Sequence, residues 1–217
     1  MKKIHGLVLV ALFSLSCSAN AALHDRGNGM IYDSDQDITW LQDANYAMTS
    51  GYDDDGRMNW SQATAWADGL SFGGYNDWRL VNANPSDTNC SNSIRPPGHD
   101  TQYYNYNCTG NELGHLFYID FGLTQDQPIL SSTDDDLDLF INIQNSVYWS
   151  GTEYEPDTRS AWHFHTNNGV QLVATKRYER LAWAVRNGDV TPVPLPSALL
   201  LFISGIIGIG ATRLRRK

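Results

Sequence analysis

The chain has 217 residues, of which 24 are acidic and 15 basic, and its formal net charge at pH 7 is −9. Six of the basic residues lie at positions 1–21 and 191–217, so residues 22–190 carry nine basic residues against all 24 acidic ones, a net charge of about −15. A surface this acidic repels the phosphates of nucleic acids, and we therefore exclude a nucleic acid as partner.

The first residues resemble an export signal. Lys2 and Lys3 precede an apolar run at 7–15, and small residues follow, ending in Ala19-Asn20-Ala21. An apolar run of this length is typical of a signal-peptide core and is too short to span a bilayer. We predict that residues 1–21 are a signal peptide and that one globular domain, residues 22–190, lies outside the cytoplasm.

The last residues, 191–217, combine a short proline motif with an apolar segment at 198–212 and a basic end, Arg213-Leu214-Arg215-Arg216-Lys217. Basic residues on one side of an apolar segment favour the cytoplasmic position for that side. We expect this segment to be a transmembrane helix that anchors the domain in the cell envelope, from which processing of the tail would release it.

This three-part tail resembles the PEP-CTERM family of sorting signals, in the variant Val193-Pro194-Leu195-Pro196-Ser197. The resemblance implies recognition by an exosortase-type membrane protease and an association with exopolysaccharide production. Leu195 stands where that family usually has an acidic residue. A plain membrane anchor is the alternative, because it needs the same apolar and basic parts.

The first half of the domain contains two local signals. Residues 30–33 and 38–41 are rich in strand-forming side chains and flank a polar turn, a pattern that predicts a β-hairpin. Asn59 and Gln62 have the spacing of a capping box, so we predict a helix over 60–70. A second, short helix is expected from about 111 to 117, after a long irregular region over 81–108.

The second half is dominated by segments that favour strands, separated by turn residues. The predicted strands are 140–143, 147–150, 161–165, 170–173 and 182–186. A hairpin, two helices, a long loop and then several antiparallel strands define an α+β domain.

Cys90 and Cys108 are the two cysteines of the predicted mature domain, and both lie in or at the end of the irregular region. Exported cysteines pair by default in an oxidising compartment. We predict a disulfide between them that staples the long loop.

Several strings in this order resemble the Lcl C-terminal domain family. They are Ile38-Thr39-Trp40-Leu41-Gln42-Asp43-Ala44-Asn45, Gly73-Gly74-Tyr75-Asn76-Asp77-Trp78-Arg79-Leu80, Asn111-Glu112-Leu113-Gly114-His115-Leu116-Phe117-Tyr118, Val147-Tyr148-Trp149-Ser150-Gly151-Thr152-Glu153 and Ala182-Trp183-Ala184-Val185-Arg186. The resemblance implies a C-type lectin-like fold that presents long loops, and an association with adhesion to sulfated glycans.

Three clusters of carboxylates, at 33–37, 53–56 and 134–138, offer oxygen ligands. Calcium takes six to eight oxygens, so we place a candidate Ca²⁺ site first at Asp53, Asp54 and Asp55, in a loop that contains Gly51 and Gly56. Solvated turn residues are the alternative.

Two further groups have candidate chemistry. His163 and His165 alternate on a predicted strand and share a face, but two ligands do not complete a zinc site, so we expect a solvated face. Tyr103, Tyr104 and Tyr106 lie in the stapled loop, where exposed rings would stack on sugars; local packing is the alternative. Arg79 is expected to form a buried interaction with a carboxylate.

The sequence contains no nucleophile elbow, zinc-protease helix or phosphate loop. We therefore predict that the protein is not an enzyme but an exported, surface-associated binding module for a glycan or an exopolysaccharide matrix. The alternatives are a structural or protein-interaction component of the envelope, and a hydrolase or modifying enzyme that would use Glu153 and Glu155 as acid and base.

Overall fold

The computed structural model describes residues 22–190, so the predicted signal peptide and the predicted sorting tail both lie outside the described residues. The described chain is a sheet-rich α+β fold with two five-stranded sheets, one two-stranded sheet and a few short helices. The α+β prediction is confirmed. Within 22–190, no helix has both the length and the apolar character needed to cross a membrane.

The first sheet has the order β1-β2-β3-β12-β5. Its strands are β1 (Leu23–Gly27), β2 (Met30–Asp33), β3 (Ile38–Leu41), β5 (Arg79–Leu80) and β12 (Ala184–Asn187). The predicted hairpin is confirmed, because β2 and β3 pair in antiparallel register from Met30 opposite Leu41 to Asp33 opposite Ile38. Strand β12 then joins the end of the domain to this hairpin.

The second sheet has the order β10-β9-β8-β11-β4. Its strands are β4 (Arg57–Met58), β8 (Val147–Glu153), β9 (Ser160–His165), β10 (Val170–Thr175) and β11 (Arg180–Leu181). Three of the predicted strands are therefore confirmed and are longer than expected. One pairing departs from the antiparallel expectation, since β11 runs parallel to β8 at Leu181 and Tyr148.

The strand predicted over 140–143 is wrong. This segment follows a 3-10 turn at Asp135–Leu139 and contributes only one isolated bridge, between Ile141 and Asp43. Asn142 has a φ of 58°, in the left-handed region, which interrupts the extended backbone that a strand needs.

The helices are short: α1 (Tyr46–Thr49), α2 (Trp60–Asp68) and α3 (Glu112–His115). The capping box of α2 is confirmed, with Asn59 and Gln62 satisfying each other's backbone N–H groups, although the helix ends two residues earlier than predicted. The second predicted helix is α3, and it continues as a π-helical segment at Leu116–Asp120. Helix α1 and strand β1 were not predicted.

Candidate functional site

The disulfide between Cys90 and Cys108 is present, as predicted. It closes a loop that contains a small hairpin made of β6 (Asn92–Ile94) and β7 (Gln102–Tyr104). Every residue of β6 is exposed, so the hairpin has little apolar burial of its own. The hairpin therefore depends on the disulfide for its order more than on apolar contacts of its own.

The hairpin docks on the edge strand β10 through the backbone. Asn105 and Gln171 exchange two N–H···O hydrogen bonds of 2.8 Å each, and the side-chain amide of Gln171 donates to the carbonyl of Tyr103. On the other side, the N–H of Tyr103 donates to the carbonyl of Pro85 at 2.8 Å. These bonds fix the hairpin against the second sheet.

A pocket of about 240 Å³ lies between the docked hairpin and this sheet. We call it the aromatic pocket, and its lining residues are Ile94, Gln102, Tyr104, Tyr154, Trp162, Leu172 and Val173. Its volume is below the ~300–1,000 Å³ typical of sites for drug-sized ligands, so it suits one small ring. The described residues that line it are all uncharged.

Trp162 and Tyr154 form the aromatic wall of this pocket. Their rings meet edge to face, with centroids 5.6 Å apart. Trp162 is 1% exposed, and its indole N–H makes no hydrogen bond within the described chain. Buried donors almost always have a hydrogen-bond partner, and this one, on a residue that lines the pocket, has none among residues 22–190.

The structure does not bring the three tyrosines expected to stack on sugars into one pocket. Tyr104 lines the aromatic pocket, whereas Tyr103 and Tyr106 are not among its lining residues. The hydroxyl of Tyr106 donates to Asp126 at 2.7 Å, and this hydrogen bond raises the pKa of Tyr106. All three side chains are partly buried.

The loop of Asp53, Asp54 and Asp55 is a turn between α1 and β4, in which Asp54 and Asp55 are exposed and Asp53 is half-buried. The Asp53 carboxylate accepts hydrogen bonds from the N–H groups of Asp55 and Gly56, and Asp55 accepts one from Arg57. These carboxylates thus help to shape their own turn.

The expectation that His163 and His165 form a solvated strand face is wrong. His163 is 3% exposed, and its Nε2 lies 3.0 Å from Nε2 of His165, within hydrogen-bond distance. Burial, together with the charge of Arg180 and the neighbouring His165, lowers the pKa of His163 to about 2. The imidazole is therefore neutral in the folded protein.

This neutral histidine makes stability depend on pH. The unfolded state protonates His163 near its ordinary pKa of about 6.5, so below that pH the unfolded state binds one more proton than the folded state. We expect the free energy of unfolding to fall by up to about 1.4 kcal/mol per pH unit between pH 6 and 4 from this group. Urea unfolding of wild type and His163→Gln measures it: the variant should have a shallower slope, whereas His99→Gln should not. Equal slopes for all three proteins would contradict it.

The predicted pairing of Arg79 with a carboxylate is present, but the pair is half-buried rather than buried, with side chains 25% and 13% exposed. Its guanidinium donates two hydrogen bonds to Glu112, of 2.9 and 2.7 Å, and this carboxylate also accepts from the N–H of Asn82. The bidentate pair ties β5 to the start of α3.

The fold and the pocket together define a disulfide-stapled, sheet-rich α+β domain that carries a small uncharged aromatic pocket beneath a loop. The chain belongs to the Lcl C-terminal domain family, which matches residues 29–186. No curated protein matches the chain, and no solved structure does.

Proposed function

We propose that this protein is an exported, non-catalytic surface module that binds a neutral polysaccharide through the aromatic pocket. The observation that carries the proposal is the pocket itself, in which Tyr104, Tyr154 and Trp162 surround a space the size of one ring. Aromatic faces pack against the apolar faces of sugar rings, while polar groups such as Gln102 hydrogen-bond hydroxyls.

A neutral sugar fits this site better than a sulfated one. The described pocket residues provide no cationic side chain to pair with a sulfate. The domain as a whole is also strongly acidic and would repel a polyanion. We therefore propose uncharged matrix saccharides, rather than sulfated glycans, as the class of ligand.

The two ends of the chain support the export and the surface location that the proposal assigns to this protein. The signal-peptide pattern at 1–21 and the tail at 191–217 favour export, membrane anchoring and processing by an exosortase-type protease, as in PEP-CTERM proteins of exopolysaccharide producers. A C-type lectin-like arrangement, in which a scaffold presents long loops, agrees with the stapled loop that covers the pocket.

Replacing Tyr104 with alanine tests the proposal. We expect saccharide affinity to fall about 10-fold, because one aromatic contact of roughly 1.4 kcal/mol is lost from the pocket. The purified protein is measured against a glycan array and against exopolysaccharide of the producing cell. Tyr178→Ala, which removes a ring that is 50% exposed and lies outside the pocket, is the matched control.

Running the same assay with Ca²⁺ and with EDTA tests the acidic loop. Binding that survives EDTA assigns recognition to the aromatic pocket alone, and binding lost in EDTA but restored by Ca²⁺ brings Asp53, Asp54 and Asp55 into the site. If wild type retains no saccharide, or if Tyr104→Ala binds as wild type does, the pocket proposal is wrong. The first of these results would favour a structural or protein-binding role in the envelope.

A further inference from the structure

Three side chains from separate segments meet on the side of the first sheet near the β2–β3 turn. They are Asp35 in that turn, His115 at the end of α3 and Asp120 at the end of the π-helical segment. One ligand atom from each lies within 4.8 Å of the others. Among residues 22–190, no other group of three or more Asp, Glu, His or Cys side chains is placed so that it could hold a metal ion.

Two buried polar atoms of this group lack hydrogen bonds within the described chain. The Asp120 side chain is 2% exposed, and its Oδ2 is buried with no partner in the described part of the chain. The same holds for Nε2 of His115, which lies 3.8 Å from Oδ1 of Asp120, too far for a hydrogen bond. A buried carboxylate oxygen almost always has a partner, so a ligand between these atoms would satisfy both.

The charge around Asp120 is negative. Four other carboxylates act on this buried side chain. The four are Asp33, Asp35, Asp136 and Asp134. A bound cation would reverse this environment, because it favours the ionised form of every carboxylate near it.

Side-chain hydrogen bonds hold the β2–β3 turn against α3. The Asp33 carboxylate accepts the N–H groups of Asp35 and Gln36, which fixes the turn, and the Gln36 amide donates to the carbonyl of Glu112, which ties the turn to α3. The group is therefore built by tertiary contacts that order it before any ligand binds.

The π-helical segment sets the spacing of the other two ligands. His115 and Asp120 are five residues apart, which in an α-helix of 3.6 residues per turn places them on different faces. The wider turn of a π-helix brings residues five apart close to alignment, and such segments are frequent at functional sites. The N–H of Phe121 bonds the carbonyl of Leu116, as this geometry requires.

We propose that Asp35, His115 and Asp120 form a binding site for a divalent transition-metal ion, with Zn²⁺ as the probe. One imidazole and two carboxylates suit zinc and its first-row neighbours, whereas Ca²⁺ and Mg²⁺ prefer oxygen ligands alone. Three protein ligands leave a further position for water. None of the three lines the aromatic pocket, so the site extends the protein beyond saccharide binding.

Titration of the full-length protein, stripped of metal with a chelator, tests this site. In competition with a chromophoric chelator, wild type should bind one Zn²⁺ per chain, and Asp120→Asn and His115→Gln should each bind it more than about 10-fold more weakly, since they remove a direct ligand. His99→Gln is the matched control, because His99 also lies beside a carboxylate, Glu155, at 3.2 Å. Its affinity should equal that of wild type.

A second measurement separates binding from folding. Asp120→Asn has the same shape and is uncharged, so it should fold, but its melting temperature should not respond to Zn²⁺. At 100 times the dissociation constant, wild type should melt about 5–10 °C higher. Absence of stoichiometric Zn²⁺ binding by wild type, or equal binding and equal thermal shifts in wild type and Asp120→Asn, would overturn the proposal.

Discussion

Replacing Trp183 with alanine is expected to lower the free energy of unfolding by about 3–5 kcal/mol, the range for deleting a buried tryptophan. Trp183 has no exposed surface and lies between the two five-stranded sheets. Its ring contacts Trp40 of the first sheet, at 5.0 Å between centroids, and Tyr148 of the second, at 5.8 Å.

The cost has two parts. Removal of the ring leaves a cavity that the neighbouring Phe140 and Trp40 cannot close without losing their own edge-to-face geometry. Removal of the indole N–H also leaves the buried carbonyl of Leu41 without the 2.7 Å hydrogen bond that it accepts. An orphaned buried acceptor costs about 1–3 kcal/mol.

Trp183→Phe separates these parts, because it keeps an aromatic ring and deletes only the donor and part of the volume. Its loss should be smaller than that of Trp183→Ala, and both should be measured by urea unfolding with an unchanged dependence on denaturant. Tyr178→Ala, at a site that is 50% exposed, should stay within about 0.5 kcal/mol of wild type. A loss below about 1 kcal/mol for Trp183→Ala would show that the two sheets do not depend on this contact.

Elements set by neighbouring residues could be predicted from the sequence. The β2–β3 hairpin and α2 depend on a polar turn and on a capping box, both of which are local signals. Strands β4 and β11 could not be predicted, because each has two residues and exists only through long-range pairing, with Met58 opposite Arg180. Two residues give no periodicity to detect.

The candidate sites also divide into one feature that the sequence predicts and two that depend on tertiary structure. The disulfide followed from export and cysteine number, a property of composition. The aromatic pocket did not, because Trp162 has the pattern of a core strand residue and becomes a pocket wall only where the stapled hairpin docks beside it. The ligand group of Asp35, His115 and Asp120 depends on a π-helical register that the sequence pattern does not reveal.

Removal of the disulfide is expected to cost about 3 kcal/mol, the chain-entropy estimate for a loop of this size. The two cysteines are 18 positions apart, and both are buried, with Cys108 fully enclosed. The loop that they close depends on the cross-link more than the sheets do, because β6 is exposed throughout and the hairpin strands have three residues each.

The loss should be concentrated in the hairpin rather than spread over the domain. Ile94, Gln102 and Tyr104 all come from this hairpin and form one side of the aromatic pocket. Without the cross-link, docking of the hairpin costs the conformational entropy of ordering the loop. Saccharide affinity should therefore fall, and the amides of β7 should exchange faster. The bonds between Asn105 and Gln171 would then be the remaining tether.

The double variant Cys90→Ser/Cys108→Ser tests this without leaving an unpaired thiol. We expect unfolding by urea at a lower midpoint, faster amide exchange at Gln102 and Tyr104, and weaker saccharide retention, each compared with wild type before and after reduction. Reduced wild type should match the double variant, because the same constraint is removed. The variant could instead lose stability while amide exchange in β7 and saccharide retention stay at wild-type values. That result would show that the disulfide stabilises the domain without ordering the pocket, because docking on β10 alone holds Tyr104 in position.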